Sequence, residues 1–209
     1  MNDIKASILE NNLHLLSRGN EQLALELRIA DIPSHVKIFP AENRLPTAEV
    51  KISADCTRLL HSAIDPLEEA NSWAQRQNIT TEDFALLGLG LGYPALALIN
   101  QGFPGRIYIV ERDIGIFKLA AIHCDLTPIL SANNIHLFIG KDADNFLVFL
   151  MQSEITILSY RTYEPVASLH SQFYQDVSVE LDKIIFENHR INDPQLFSGV
   201  EILLQSLKE

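Results

Sequence analysis

Apolar positions along the first third of the chain follow two patterns. Within Ile4–Ile29, leucines and isoleucines recur mostly at helical spacing and are interrupted at Gly19, which predicts one or two helices outside the main sheet. Two short stretches, Val36–Phe39 and Ala48–Ile52, then flank a turn that is bounded by prolines. That arrangement predicts a small β-hairpin.

From Phe84 onward the pattern changes to apolar strands that alternate with helices. Continuous apolar strands separated by helices are typical of a parallel sheet covered on both faces. The predicted strands are Phe84–Gly88, Arg106–Glu111, Ile135–Ile139 and Ile155–Ser159, and the helices between them are Pro94–Asn100, Ile114–Cys124 and Asp142–Met151. The predicted fold class is therefore α/β: a Rossmann-like, mainly parallel sheet with helices on both faces, plus N-terminal helices and a small β-hairpin.

Further helices are predicted on either side of this core. Asp65 is suited to cap a helix that starts at Pro66, because its carboxylate can accept from free N–H groups of the first turn. Val166–His189 has the apolar stripe of a long amphipathic helix, and Pro194–Glu209 is predicted to form another. We divide the chain into an N-terminal arm with the hairpin (1–62), the Rossmann-like core (63–165) and C-terminal helices (166–209).

Composition excludes several classes of partner. The 209 residues are 47% hydrophobic and 21% charged, which supports a buried core, and the net charge is −11. Because the 16 Lys and Arg residues are spread along the chain, neither nucleic acid nor an anionic membrane is an expected partner. Cys56 and Cys124 have no metal-ligand spacing and indicate reduced thiols in the cytoplasm. No metal site and no transmembrane helix are predicted.

The sequence between the first two core strands carries the main candidate chemistry. Gly88, Gly90 and Gly92 follow an apolar strand and precede a helix, with Tyr93 next to them. Without Cβ atoms a ligand can approach the backbone closely, and the start of the helix offers free N–H groups and a positive dipole. These residues are therefore predicted to bind a nucleotide-type cofactor.

Two acidic residues are predicted to complete this site. Glu111 ends the next strand, where a carboxylate can accept hydrogen bonds from both ribose hydroxyls of a nucleoside. Asp142 follows the third strand and could meet an adenine amino group. The carboxyl ends of parallel strands meet at one sheet edge, where open α/β sheets bind their ligands. The alternative is structural: glycines for tight packing, Glu111 a solvated strand end, and Asp142 a helix cap.

The spacing of the glycines favours S-adenosylmethionine over a dinucleotide. Methyltransferase loops of this type usually carry an acidic residue two positions before the first glycine, and here that position is Leu86. Since the acidic group helps to organise the loop around the methionine moiety, its absence argues against working methyl transfer.

Two other sets of polar residues are candidate ligand contacts. His61 and Ser62 directly precede the capped helix, where His61 is either a group beside the glycine loop or a hydrogen-bonded junction residue. Arg161 is predicted to follow the fourth core strand at the same sheet edge, where it could pair with a carboxylate or phosphate or lie in a surface loop.

Three groups of residues together resemble one protein family: His61-Ser62-x-x-Asp65-Pro66-x-x-Glu69-Ala70, then Leu87-Gly-Leu-Gly-Leu-Gly-Tyr93, then Val110-Glu-Arg-Asp113 with Ile116-Phe-Lys118. The pattern, best over roughly Val50–Gly140, resembles the N-terminal domain of the motility accessory factor family of flagellin glycosyltransferases, grouped with hydroxymethylpterin pyrophosphokinase-like proteins. The resemblance implies a methyltransferase-like domain that precedes a catalytic domain marked by Gly-Pro-Ser-Leu. That motif does not occur here, so sugar transfer is not expected of these residues, and the chain is interpreted as a fragment or a stand-alone relative.

Three functions remain open from the sequence. The first is an accessory module, methyltransferase-like in fold, that helps to position a downstream glycosyltransferase domain or its flagellin-type protein acceptor. The second is an S-adenosylmethionine-dependent methyltransferase that uses the glycine loop, Glu111 and Asp142. The third is a binder of nucleotide sugars or pterin phosphates at the helix start after Gly92.

Overall fold

The computed structural model describes residues 2–192 apart from 78, 80–82, 154, 156 and 157. The predicted helix Pro194–Glu209 lies outside the described residues. Within them, none of the helices is both long enough and apolar enough to cross a membrane.

The N-terminal segment forms two helices, α1 (Asn2–Gly19) and α2 (Glu21–Ile29), as predicted. Asn20 separates them and caps α2, since its side-chain oxygen accepts from the Leu23 N–H at 2.9 Å. The amide of buried Asn12 donates to the carbonyl oxygens of Ala121 and Cys124, both at 2.9 Å. These bonds hold α1 against the helical layer of the main sheet.

A small antiparallel sheet follows, with strands β1 (Val36–Pro40), β2 (Pro46–Lys51) and β3 (Thr57–Leu59) in that order. The predicted hairpin is confirmed, but β3 was not predicted as a strand. Its three residues are all exposed, so it has no alternation of apolar and polar positions that could mark it in the sequence.

Among the described residues, the main sheet has four parallel strands: β4 (Asp83–Leu87), β5 (Arg106–Glu111), β6 (Ile135–Ile139) and β7 (Leu158–Thr162). Their spatial order is β6-β5-β4-β7. This is the order of the first four strands in doubly wound nucleotide-binding folds, and it places the switch point between β4 and β7. The predicted α/β class with a parallel sheet is confirmed.

Helices cover both faces of this sheet. They are α3 (Pro66–Arg76), α4 (Tyr93–Asn100), α5 (Ile114–His123), α6 (Thr127–Leu130), α7 (Phe146–Gln152), α8 (Glu164–Ala167) and α9 (Ser171–Asn192). One apolar cluster joins α1–α6 to the sheet, and a second joins α7 and α9 to the other face. Because both faces are packed, every residue of β4 is buried.

Two predicted helices differ from the structure at their beginnings. The segment predicted as Asp142–Met151 starts with a 3₁₀ turn, Gly140–Asn145, before α7 begins. The segment predicted as one helix, Val166–His189, is divided in the structure. Its first residues belong to α8, a 3₁₀ turn at Ser168–His170 follows, and α9 begins after that turn. The break redirects the chain at the sheet edge, where α8 lies against the glycine loop.

Candidate functional site

The glycine loop turns sharply between β4 and α4, at the carboxyl edge of the sheet. Its three glycines all have positive φ, +92° at Gly88, +59° at Gly90 and +99° at Gly92, a region that side-chain-bearing residues rarely adopt. Tyr93 and Pro94 then begin the helix. Residues 88–95 are all buried, so in this structure the loop is not open to solvent.

The carboxylate of Glu111 accepts hydrogen bonds from within the protein on both oxygens. Oε2 accepts from the N–H groups of Leu89 at 2.9 Å and Gly90 at 3.0 Å. Oε1 accepts from the Asp113 N–H at 3.0 Å and the Tyr174 hydroxyl at 3.3 Å. Burial raises the pKa of Glu111, which is 1% exposed, while the three backbone donors oppose that rise. The acid therefore fastens β5 to the loop.

The imidazole of His61 accepts a hydrogen bond from the next N–H group of the loop. Its Nε2 accepts from the Leu91 N–H at 2.9 Å, so the ring proton is on Nδ1, which faces the Tyr163 hydroxyl at 3.3 Å. Tyr163 in turn donates to Glu69 at 3.0 Å. Burial lowers the pKa of His61 to about 3, so the ring is neutral. Three consecutive loop N–H groups thus have partners in the protein itself.

Protein atoms also fill the space that the glycines leave. A Cβ built on Gly90 would lie 2.5 Å from His61 Nε2 and 2.7 Å from Val166 Cγ2. A Cβ on Gly88 would lie 3.3 Å from the Tyr163 carbonyl oxygen and from Val166 Cβ. The start of α8 therefore occupies the crevice at the switch point between β4 and β7, where folds of this kind bind ligands.

The segment that carries His61 is held by local hydrogen bonds. Ser62 Oγ accepts from the N–H groups of Ile64 at 3.1 Å and Asp65 at 3.2 Å, and the Ser62 N–H donates to Glu69 at 2.8 Å. Asp65 caps α3 as predicted, accepting from the Glu68 N–H at 2.9 Å. Ser62 therefore builds the turn that presents His61, and in this structure its hydroxyl is an acceptor for that turn.

Tyr93 closes the same site from the side of the small sheet. Its hydroxyl donates to the Pro46 carbonyl oxygen at 2.7 Å, and its ring contacts His61 edge-on, with ring centroids 5.0 Å apart. Burial raises the pKa of the Tyr93 hydroxyl, which therefore stays protonated. The threonine hydroxyl of Thr47, on β2, donates to the His61 carbonyl oxygen at 2.8 Å. The small sheet is thus attached to the glycine loop through His61 and Tyr93.

The other two predicted site residues lie outside this network. Asp142 is in the 3₁₀ turn after β6, at the same sheet edge as Glu111, and accepts from the Asn145 amide at 3.4 Å. Arg161 donates to the carbonyl oxygens of Tyr160 at 2.7 Å and Gln77 at 3.4 Å. Within the part of the chain that the structure describes, neither side chain has a hydrogen bond to the glycine loop.

The predicted position of Arg161 after the fourth strand was wrong. β7 extends to Thr162 and pairs Arg161 with Leu86 of β4. The polar residues suggested a loop, but β7 has only one neighbour among the described strands, and such an edge position tolerates polar side chains.

Four residues at this site had no predicted role: Glu69, Tyr163, Val166 and Tyr174. Glu69 occurs in the motif after His61, and Tyr163 follows the fourth strand at the carboxyl edge, so spacing gave a partial signal for both. Val166 and Tyr174 had none, because their contacts depend on how α8 and α9 fold back. Among the described residues, no group of three or more His, Cys, Asp or Glu side chains could hold a metal ion.

Comparison with known proteins identifies a likeness in fold. No protein-family profile and no curated protein sequence matches the chain. Among solved structures, the MAf glycosyltransferase from Magnetospirillum magneticum AMB-1 is similar, with a TM-score of 0.51 and 15% sequence identity. The match covers 86% of this chain but only 36% of that one. The chain therefore shares its fold with about a third of a MAf glycosyltransferase.

Proposed function

We propose that this chain is an accessory, non-catalytic module of a motility accessory factor-type glycosyltransferase. It keeps the sheet of a nucleotide-binding domain and uses it as a scaffold that positions a glycosyltransferase domain or its flagellin-type protein acceptor. The cytoplasm suits this role, and the two free cysteines, exposed Cys56 and buried Cys124, are consistent with a reducing compartment.

The observation that carries this proposal is the closure of the glycine loop by the protein itself. His61 and Glu111 accept from the N–H groups that a ligand would use, and Val166 lies in the space beside Gly90. A nucleoside could enter only after these contacts were broken. Each broken contact leaves a buried polar group unpaired unless the ligand replaces it, at a cost of about 1–3 kcal/mol.

The fold likeness supports the same proposal independently. The similar protein is described as a glycosyltransferase, and this chain matches about a third of it. The motifs that resemble the motility accessory factor family include His61, Glu69, Gly90 and Glu111. Every one of these residues belongs to the hydrogen-bonded closure of the loop. In this account those motifs preserve a structural junction rather than a cofactor site.

Ligand binding tests the proposal directly. A ligand that binds the native state raises the melting temperature by mass action, by an amount that grows with its concentration. Melting curves should be recorded with S-adenosylmethionine, cytidine nucleotides and NAD at millimolar concentration. We expect no upward shift with any of them. A concentration-dependent rise, with methyl transfer in the case of S-adenosylmethionine, would remove the proposal.

An S-adenosylmethionine-dependent methyltransferase is the alternative, because the loop and Glu111 lie at the switch point of the sheet. In that function Glu111 would exchange its internal donors for ribose hydroxyls, and Asp142 would reach the adenine. The matched test is calorimetry on the wild type and on His61→Ala, which removes the side chain beside Gly90. Binding of S-adenosylmethionine by the wild type supports the alternative. Binding by His61→Ala but not by the wild type supports closure of a latent site.

A nucleotide-sugar or pterin-phosphate ligand is a second alternative, favoured by the start of α4 after Gly92. It predicts that cytidine nucleotides stabilise the protein and that S-adenosylmethionine does not. The same melting experiment therefore separates a cytidine-nucleotide site from the other two functions, and a pterin phosphate added to it tests the remaining ligand class.

A further inference from the structure

The outer edge of β6 lies on the opposite side of the sheet from β7. Within the described ranges, β6 pairs only with β5, and its register runs through five consecutive residue pairs without a bulge. Natural edge strands are usually protected by charged residues, proline or bulges. Ile135–Ile139 has none of these protections, since its sequence is Ile-His-Leu-Phe-Ile.

The backbone of β6 has hydrogen-bonding groups directed away from the sheet. The Ile107 N–H donates to the Asn134 carbonyl oxygen, and Ile107 is paired with Ile135. In a parallel ladder with this register, His136 and Phe138 direct their backbone groups toward β5. Leu137 lies between them and directs its N–H and C=O outward, where a further strand could pair with them.

A cavity of about 270 Å³ lies beside this edge. It is bounded by the end of α1 at Leu15, Leu16 and Gly19, by Ile129 of α6, and by β6 itself. Ile135 and Leu137 pack toward the same apolar cluster as α1 and α6. A strand added to β6 would therefore place alternate side chains over this cavity.

We propose that the β6 edge pairs with the same edge of a second copy of this chain, in an antiparallel arrangement about a two-fold axis through Leu137. Such an axis, perpendicular to the sheet, keeps equivalent faces on the same side. Ile135 and Leu137 of each copy then lie beside this cavity of the other. The result is a continuous eight-stranded sheet with an isologous interface.

The neutral β6 edge is a place where two copies of this acidic chain can meet. Two chains that each carry −11 repel one another at most approaches. The β6 edge contains no acidic or basic residue except His136, and burial and nearby Arg106 lower the pKa of that imidazole. Because the edge is neutral and apolar, like edges can meet there without repulsion between the paired strands. A charged partner peptide would find no opposite charge on this strand.

The test is the oligomeric state of the full chain and of two matched variants. Leu137→Pro removes the outward N–H, and a proline is tolerated on an edge strand at such a position. Leu137→Ala trims the same side chain but keeps the N–H. Sedimentation should be run up to millimolar protein, because two short strands bury less than the ~1,200 Å² of a standard interface.

We expect concentration-dependent dimers for the wild type and for Leu137→Ala, and monomers for Leu137→Pro. Hydrogen exchange on the wild type gives a second measurement: the Leu137 amide should become more protected as dimers form. A wild type that stays monomeric at millimolar concentration overturns the proposal, as does a Leu137→Pro variant that dimerises like Leu137→Ala. Dimers without added protection at Leu137 also overturn it, because they would use another surface.

Discussion

Replacing Gly90 by alanine tests the closed loop at its tightest point. The new Cβ would lie 2.5 Å from His61 Nε2 and 2.7 Å from Val166 Cγ2, closer than carbon atoms approach such neighbours. Gly90 also has φ +59°, which alanine adopts only with strain. The imidazole cannot move away without losing its hydrogen bond from the Leu91 N–H.

Two contributions set the size of the effect. The left-handed backbone costs a non-glycine residue about 1–2 kcal/mol. Displacing His61 leaves the buried Leu91 N–H without its acceptor, which costs about 1–3 kcal/mol. We therefore expect Gly90→Ala to lower the free energy of unfolding by about 2–5 kcal/mol.

A second glycine provides the matched control. Gly102 has φ +71°, but a Cβ built there meets nothing within 4 Å. Gly102→Ala should therefore cost only the backbone part, about 1–2 kcal/mol. In a His61→Ala background the imidazole is gone and only the Val166 contact at 2.7 Å remains, so Gly90→Ala should cost less there than in the wild type.

The assay is equilibrium urea unfolding, followed by circular dichroism and by fluorescence of the single tryptophan. Trp73 suits this purpose because its ring contacts Tyr163, with centroids 5.4 Å apart. Equal losses for Gly90→Ala and Gly102→Ala would contradict a clash at Gly90. So would a Gly90→Ala cost that stays unchanged when His61 is absent, because the clash would then lie elsewhere.

Three further predictions follow from the same network. Burial lowers the pKa of His61 to about 3, so the unfolded chain, with a His pKa of about 6.5, binds the extra proton first. Stability should therefore fall as the pH drops from about 6.5 toward 3, by up to ~1.4 kcal/mol per pH unit; urea unfolding across this range should show a flatter dependence for His61→Gln. Glu111→Gln turns an amide N–H₂ toward the backbone donors at Leu89 and Gly90 or at Asp113. It should therefore lower the free energy of unfolding by about 1–3 kcal/mol. An unchanged urea midpoint would contradict this role of the carboxylate. Asp65→Ala removes the cap of α3 and should lower the free energy of unfolding by about 1 kcal/mol. Asp65→Asn should lower it little, because asparagine also caps helices. Equal melting temperatures for the two variants would contradict the capping role of Asp65.

The sheet could be predicted from sequence because its signals are local. β5 and β6 have the predicted bounds, and the glycines and Asp65 mark where α4 and α3 begin. These features depend on apolar runs, on glycine conformation and on capping, all of which are visible within a few residues. β7 was harder, because polar Tyr160, Arg161 and Thr162 belong to an edge strand whose extent is set by pairing with β4.

The protein groups that bind the N–H groups of the glycine loop could not be predicted in this way. The position of Glu111 at the end of β5 was visible, but its hydrogen bonds to Leu89 and Gly90 depend on how loop and strand meet. His61 is 30 residues from Leu91 in sequence, and Tyr163 is 102 residues from His61. Spacing identifies groups suited to a nucleotide, but only the fold shows that they bind one another.

The motif around His61 gains a physical explanation from these contacts. Ser62 forms the turn, Asp65 caps α3, and Glu69 accepts from both Ser62 and Tyr163. Together they place one imidazole against the loop. A substitution at any of these positions is therefore expected to act through the position of His61.

The protonation state of His61 provides a direct test of the closed glycine loop. Nitrogen-15 NMR of the folded protein should show a neutral His61 ring with its proton on Nδ1, and no titration between pH 8 and about 5. A ring that carries its proton on Nε2, or that titrates near the ordinary pKa of about 6.5, would mean that His61 does not accept from Leu91. The Leu91 N–H would then be available to a ligand, which contradicts the closed loop.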